Sequence, residues 1–180
     1  MEELDHLVYA NRGIFNHWQR IIFPGFQPIG PLHVASMCGN ICWVKQLLDR
    51  GEKPDELFPG PNASDFNALQ ALASSSLRNV DILKALLERC GPNCDINTET
   101  KSMASAFHLW VQLDPTIDNV QRLLELGGDP TRVGKYKWNA FHHFSCSGSE
   151  PEAFDNRATP LLILLNTRQT PLNLLQAFVR

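Results

Sequence analysis

The chain has 180 residues, 43% of them apolar, and a formal net charge of −3. That length suits one domain, and that apolar share supports a core and excludes a disordered chain. The slightly acidic balance, with no block of like charges, excludes the basic footprint of a nucleic-acid binder, and no run of about 18 uncharged apolar residues is present to span a membrane.

Residues 1–29 begin "MEELDHLVYA", with Glu2, Glu3 and Asp5 where a signal peptide would carry basic residues. Leu4, Leu7, Val8, Ile14, Phe15, Trp18, Ile21 and Ile22 recur at helical spacing, and Gly13 divides them. The segment is expected to be an N-terminal helical cap over whatever follows. The five cysteines are an odd number in a chain without a secretion signal. They are expected to be reduced thiols of an intracellular protein, in the cytoplasm or the nucleus.

"GPLHVASMCGNICWVKQLLDRG", residues 30–51, reads as two short helices divided by Gly39. Leu32, Val34 and Ala35 mark the first, and Ile41, Val44, Leu47 and Leu48 mark the second, which Gly51 ends. Pro31 suits a first helical turn, where its missing N–H is no loss. A pair this short cannot bury its apolar face alone. Next comes "EKPDELFPGPNASD", whose Pro54, Pro59 and Pro61 predict an extended loop with neither helix nor ladder.

The pair then recurs. Leu69 of "NALQAL", Phe107 of "SAFHLW" and Phe141 of "NAFHHF" follow Leu32 in successive steps of 37, 38 and 34 residues. The second helix recurs as well, in "LKALLERCG" ending at Gly91 and "VQRLLELGG" ending at Gly127. Its leucine pairs are Leu47/Leu48, Leu86/Leu87 and Leu123/Leu124. Repeated pairs of this kind stack, and the stack makes one continuous core from several inadequate faces.

These motifs resemble the ankyrin repeat, whose signature is Thr-Pro-Leu-His-x-Ala followed by Gly, Val, Leu-Leu and Gly. The first copy matches at Pro31, Leu32, His33, Ala35, Gly39, Val44, Leu47, Leu48 and Gly51. The third keeps His108, Val120, Leu123, Leu124, Gly127 and Asp129. The second has Gln70 for the histidine and extra residues around "ASSSLRN", and the fourth keeps His142 and Gly148 before departing. The resemblance implies an all-α ankyrin-repeat solenoid of about four helix–turn–helix units. The units lie near residues 30–66, 67–104, 105–138 and 139–180, behind the cap at 1–29. It also implies that His33, His108 and His142 hydrogen-bond between neighbouring units rather than catalyse.

The last unit is irregular. Thr159, Pro160 and Leu161 look like a new start, yet Leu161 follows Phe141 by only 20 residues, short of a unit of about 33. The chain ends in "PLNLLQAFVR", with Leu174, Leu175, Phe178 and Val179 on an uncapped apolar helix. Low local stability and self-association through that helix are expected there.

Two Cys-x₃-Cys pairs, Cys38/Cys42 and Cys90/Cys94, have a spacing that zinc sites use. They fall in different units that a stack holds apart, so no metal and no cofactor is expected. His142, His143 and Cys146 lie close in sequence, but His142 is a repeat position, and no enzyme activity is expected. Phosphate-binding, nucleophile-elbow and zinc-protease motifs are missing from the sequence.

The resemblance therefore implies a non-catalytic adaptor that binds a partner protein with its turn tips and concave face. The tips are Asp65 and Phe66, then Lys101 and Met103, then Tyr136, Lys137 and Trp138, and the groove positions are Met37, Ser74, Gln112 and Cys146. "GKYKWNAF" is the most partner-like tip, because exposed aromatic and basic side chains make interface anchors. Trp138 can instead pack down on its own repeat. The alternative function is a regulatory or sensing array within a larger protein. "LVYANRGIFNHW" and "TPLLILL" resemble in texture the ankyrin arrays of fungal NACHT-type signalling proteins.

Overall fold

A computed structural model describes residues 30–59, 65–101, 103–134 and 137–145. Within them the chain is mainly helical: α1 (Pro31–Met37), α2 (Ile41–Asp49), α3 (Ala68–Ser74), α4 (Val80–Leu87), α5 (Ala106–Leu113), α6 (Ile117–Glu125) and α7 (Ala140–Ser145). The expected N-terminal cap, the departure from the repeat pattern after Gly148 and the terminal helix lie outside the described residues.

Helix starts follow from short polar side chains. Asn40 accepts a hydrogen bond from Trp43 N at 3.0 Å, Asn79 from Asp81 N at 2.8 Å, and Thr116 from Asn119 N at 3.4 Å. Each satisfies an amide that the first helical turn leaves without a partner. α3 carries a reciprocal cap: Gln70 N donates to Asn67 Oδ1 at 2.9 Å and Asn67 N donates to Gln70 Oε1 at 3.0 Å.

Three helix ends, those of α1, α2 and α6, are set by glycine. Gly39, Gly51 and Gly127 have φ of 67°, 92° and 90°, the left-handed region that a β-carbon penalises. At each, the glycine N–H and the following N–H turn back onto the last helical carbonyls. Gly51 N donates to Leu48 O and Glu52 N to Leu47 O; Gly127 N donates to Leu124 O and Gly128 N to Leu123 O. This is the Schellman arrangement. The second unit breaks the pattern: three residues past its leucine pair stands Cys90, where the first and third units have Gly51 and Gly127.

The first helices of successive pairs stack in a row, α1 on α3, α3 on α5 and α5 on α7, while α2 packs on both α1 and α4. One core runs along the row. It takes Leu32, Val44 and Leu47 from the first pair, Leu69, Ile82, Leu83 and Leu86 from the second, Phe107, Trp110, Val120 and Leu123 from the next, and Phe141 from α7. Burying each such side chain contributes about 1.5–3 kcal/mol. Leu48 is buried in the same core, and Leu87 and Leu124 are partly so. The leucine pairs thus do the same work three times.

The extra residues after α3 form a clamp. Ser75 Oγ donates to Met37 O at 2.8 Å, at the end of α1. Arg78 donates to Ser75 O and to Ala73 O, and its Nε lies 3.9 Å from Asp114 Oδ2, at the end of α5. Leu77 lies over the Gly39 turn, where its carbonyl would be 3.1 Å from any β-carbon at that glycine.

One expectation is corrected. The proline-rich loop contains a short antiparallel ladder: β1 (Phe58–Pro59) pairs with β2 (Asp65–Phe66), Phe58 opposite Phe66 and Pro59 opposite Asp65. Proline lacks a donor but keeps its carbonyl, and in a two-stranded ribbon every strand is an edge, where proline is tolerated.

Candidate partner-binding face

The side chain three places past each first-helix cap is hydrogen-bonded in all four pairs; in the first two it reaches the neighbouring pair, and in the last two it bonds its own helix cap. His33 Nε2 hydrogen-bonds Phe66 O at 3.2 Å, 33 residues away. In the second unit Gln70 Nε2 donates to Ala104 O at 2.9 Å, 34 residues away. Glutamine therefore performs the histidine's linking role. In the third, Ser105 Oγ holds His108 Nδ1 at 2.9 Å and also caps α5 through His108 N at 3.2 Å. In the fourth, Asn139 Oδ1 holds His142 Nδ1 at 2.6 Å. Side chains in the connecting loops add further links. Thr100 Oγ1 donates to Asp65 O at 2.7 Å, Asn97 Nδ2 donates to Gly127 O at 2.8 Å, and Asp129 N donates to Asn97 Oδ1 at 2.8 Å.

The residues expected to meet a partner fall into three groups. Met37 and Trp138 are each 39% exposed, and Lys101 and Lys137 are exposed. Met103 and Gln112 are half-buried. Met103 and Val34 pack against a small cluster of Phe66 and Ala71, and the Gln112 carbonyl oxygen lies 3.1 Å from His143 Nδ1. Phe66 is only 7% exposed. The hairpin folds its ring edge-on to His33, centroids 5.5 Å apart, with Phe58 at 4.8 Å from the same imidazole. Phe66 thus supports the tip from beneath and offers little side-chain surface to a partner, which corrects its expected role. Of the remaining tip and groove residues, Asp65 is half-buried, Ser74 is exposed, and Tyr136 and Cys146 lie outside the described residues.

At the last tip Trp138 is partly packed and partly exposed. Its ring meets His143 edge-on, centroids 5.4 Å apart, while the rest of the indole remains outside. His143 in turn stacks on His108 at 4.8 Å and 20°. Backbone bonds brace the described residues of this tip. Gly134 N donates to Trp138 O at 2.7 Å, Lys137 N donates to Gly134 O at 2.8 Å, and Lys137 takes a positive φ of 58°. Any β-carbon at Gly134 would run into the Glu99 carboxylate of the preceding loop.

Three buried histidines are held neutral. Burial pulls His33 down to about 4, against the Phe66 and Glu56 backbone groups that favour its charged form. Burial, then the neighbouring His143, pulls His108 down to about 4, with the Arg132 backbone opposing. His143 is lowered by burial and by His142. Desolvation dominates in all three, as expected for imidazoles used as packed, hydrogen-bonding rings.

The two cysteine pairs differ. Cys38 and Cys42 are exposed on either side of the Gly39 turn. Cys90 and Cys94 are half-buried, with their sulfurs 3.0 Å apart. Spacing alone could not separate the pairs; the cysteine standing at the glycine stop was the signal. Among the described residues no group of three or more His, Cys, Asp or Glu is placed to hold a metal ion, and no helix is long and apolar enough to cross a membrane. A scan against protein-family profiles matches no family, and a search of curated proteins finds no matching relative.

Proposed function

We propose that the helix pairs are successive units of an ankyrin-type solenoid, and that the chain is a non-catalytic module binding a partner protein. The observation that carries the reading is the register of the links: His33 to Phe66 and Gln70 to Ala104 reach 33 and 34 residues ahead, along a row of stacked first helices. Each link lands four residues before the equivalent position of the next pair, Gln70 or His108, so the same contact recurs in register. The partner-binding surface is the exposed part of the tips, Lys101, Lys137 and Trp138, together with Met37. Trp138 is the anchor, because a half-exposed indole braced by His143 combines large contact area with a fixed geometry.

The test is affinity purification with quantitative mass spectrometry, comparing the wild type with Trp138→Ala and Lys137→Ala. Partners of this surface are expected to fall several-fold with Trp138→Ala while the variant melts normally. An interactome that the two substitutions leave unchanged overturns the assignment of the tip. A separate readout of thermal stability distinguishes that result from loss of fold.

A further inference from the structure

The turn after α4 differs from its counterparts. After Leu87 the chain meets Cys90 in place of a glycine, and among the described residues the only non-glycine with positive φ is Lys137. The Schellman stop is therefore replaced. Cys90 N donates to Leu87 O at 3.3 Å, and the following Gly91-Pro92-Asn93 makes a second turn closed by Cys94 N to Gly91 O at 3.0 Å. That second turn carries Cys94 back onto Cys90, with Sγ···Sγ at 3.0 Å. Both flanks are fixed. Cys90 and Cys94 pack against the main core, and the next residues are held by an Asp95 side chain that accepts from Asn97 N at 2.9 Å and Thr98 Oγ1 at 2.8 Å. Asn97 is in turn the link to Gly127 and Asp129.

We propose that Cys90 and Cys94 form a dithiol site for low-molecular-weight disulfides, which it reduces as it closes reversibly to an intramolecular disulfide. The sulfurs need approach by only about 1 Å to reach bonding distance. The order of events follows from the environment. Hydrogen bonding to Cys94 and burial push the Cys90 thiol up, and the same bond pushes Cys94 down, against burial and the carboxylates of Asp55 and Asp95. With Cys90 as the donor in this bond, Cys94 is the attacking thiolate. It displaces one thiolate from the disulfide donor and forms a mixed disulfide. Cys90 then loses its proton to solvent and attacks the Cys94 sulfur, releasing the second donor thiolate. Two protein thiols are oxidised and one external disulfide is reduced to two thiols. The closed ring would tie the end of α4 to the loop that holds the third unit.

The experiment equilibrates the full chain with glutathione and glutathione disulfide at graded ratios, quenches with acid, alkylates and digests with trypsin. Cleavage at Arg89 and Lys101 releases Cys90 and Cys94 in one peptide, and cleavage at Arg20 and Lys45 releases Cys38 and Cys42 in another. The first peptide should escape alkylation and run about 2 Da below its dithiol mass, for the two thiol hydrogens, at a lower share of oxidised glutathione than the second, and dithiothreitol should restore its alkylation. Cys90→Ser should leave a persistent glutathione adduct on Cys94. The folded chain should close the ring at least about tenfold more readily than the same chain in denaturant, because the fold pre-positions the thiols. If the 90–101 peptide stays reduced, keeps a glutathione adduct in the wild type, or closes no better folded than unfolded, the proposal is overturned. If Cys90→Ser fails to fold, the wild-type comparison of the two peptides decides alone.

Discussion

The junction led by His33 and the junction led by Gln70 do one job with two chemistries. Each side chain leaves the first turn of a first helix and bonds the backbone carbonyl just ahead of the next first helix, Phe66 in one case and Ala104 in the other. The imidazole is buried with its affinity for protons suppressed, whereas the amide has none to suppress. Packing along the row is therefore uniform, while acid sensitivity is placed at particular joints.

The largest effects should show the uniformity. Leu47→Ala, Leu86→Ala and Leu123→Ala each remove a fully buried side chain and should each cost ~2–5 kcal/mol in denaturant unfolding. A cost below about 1 kcal/mol at Leu86 alone, outside that range, would show that the second unit carries a weaker core than its neighbours.

Next comes pH. His33 and His108 bind protons more weakly folded than unfolded, so their contribution to stability is level above the ordinary histidine value of about 6.5. It is lost as pH falls from there to about 4 and is level again below. The loss should be on the order of 2–3 kcal/mol per histidine, read from urea melts between those limits. His33→Gln should flatten the slope, and Gln70→His should steepen it. An unchanged slope in both variants would break the comparison.

Gln70→Ala removes both the link to Ala104 and one half of the α3 capping box, and should cost about 1–3 kcal/mol. Gln70→Glu sharpens the point: it can keep the capping acceptor but not the amide donor, so it should recover only part of the loss. The smallest effect should be Gly51→Ala. No atom stands within 4 Å of the added β-carbon, leaving only the left-handed backbone to penalise it, by about 1–2 kcal/mol in a thermal melt.

Most of the helical framework was legible because its determinants are local. The leucine pairs, the apolar spacing and the glycines at 39, 51 and 127 all act within a few residues, and the helices begin and end where those residues require. The tips were less legible, since their fate depends on contacts across a unit. Phe66 looked like a surface anchor until the hairpin folded it onto His33, and that hairpin was itself hidden by Pro59. Gln70 looked like a loss of the motif because its equivalence to histidine depends on a carbonyl 34 residues downstream. Trp138 was open between exposed and packed, and it is both, since an indole is large enough to brace one edge and present the other.

The clamp formed by residues 75–78 bears on how the row melts. In a simple repeat array each unit feels only its immediate neighbours, so unfolding can start at an end and proceed one unit at a time. Here Ser75 is bonded to the last turn of α1 and Arg78 faces the carboxylate at the end of α5, so one short loop senses both the unit before it and the unit after it. Detaching α1 removes a bond that holds this loop, and releasing the loop loosens its approach to α5. The two interfaces of the second unit thereby share one loop, so that loosening one loosens the other. Such a coupling raises cooperativity and draws a chain of weak modules towards a single transition.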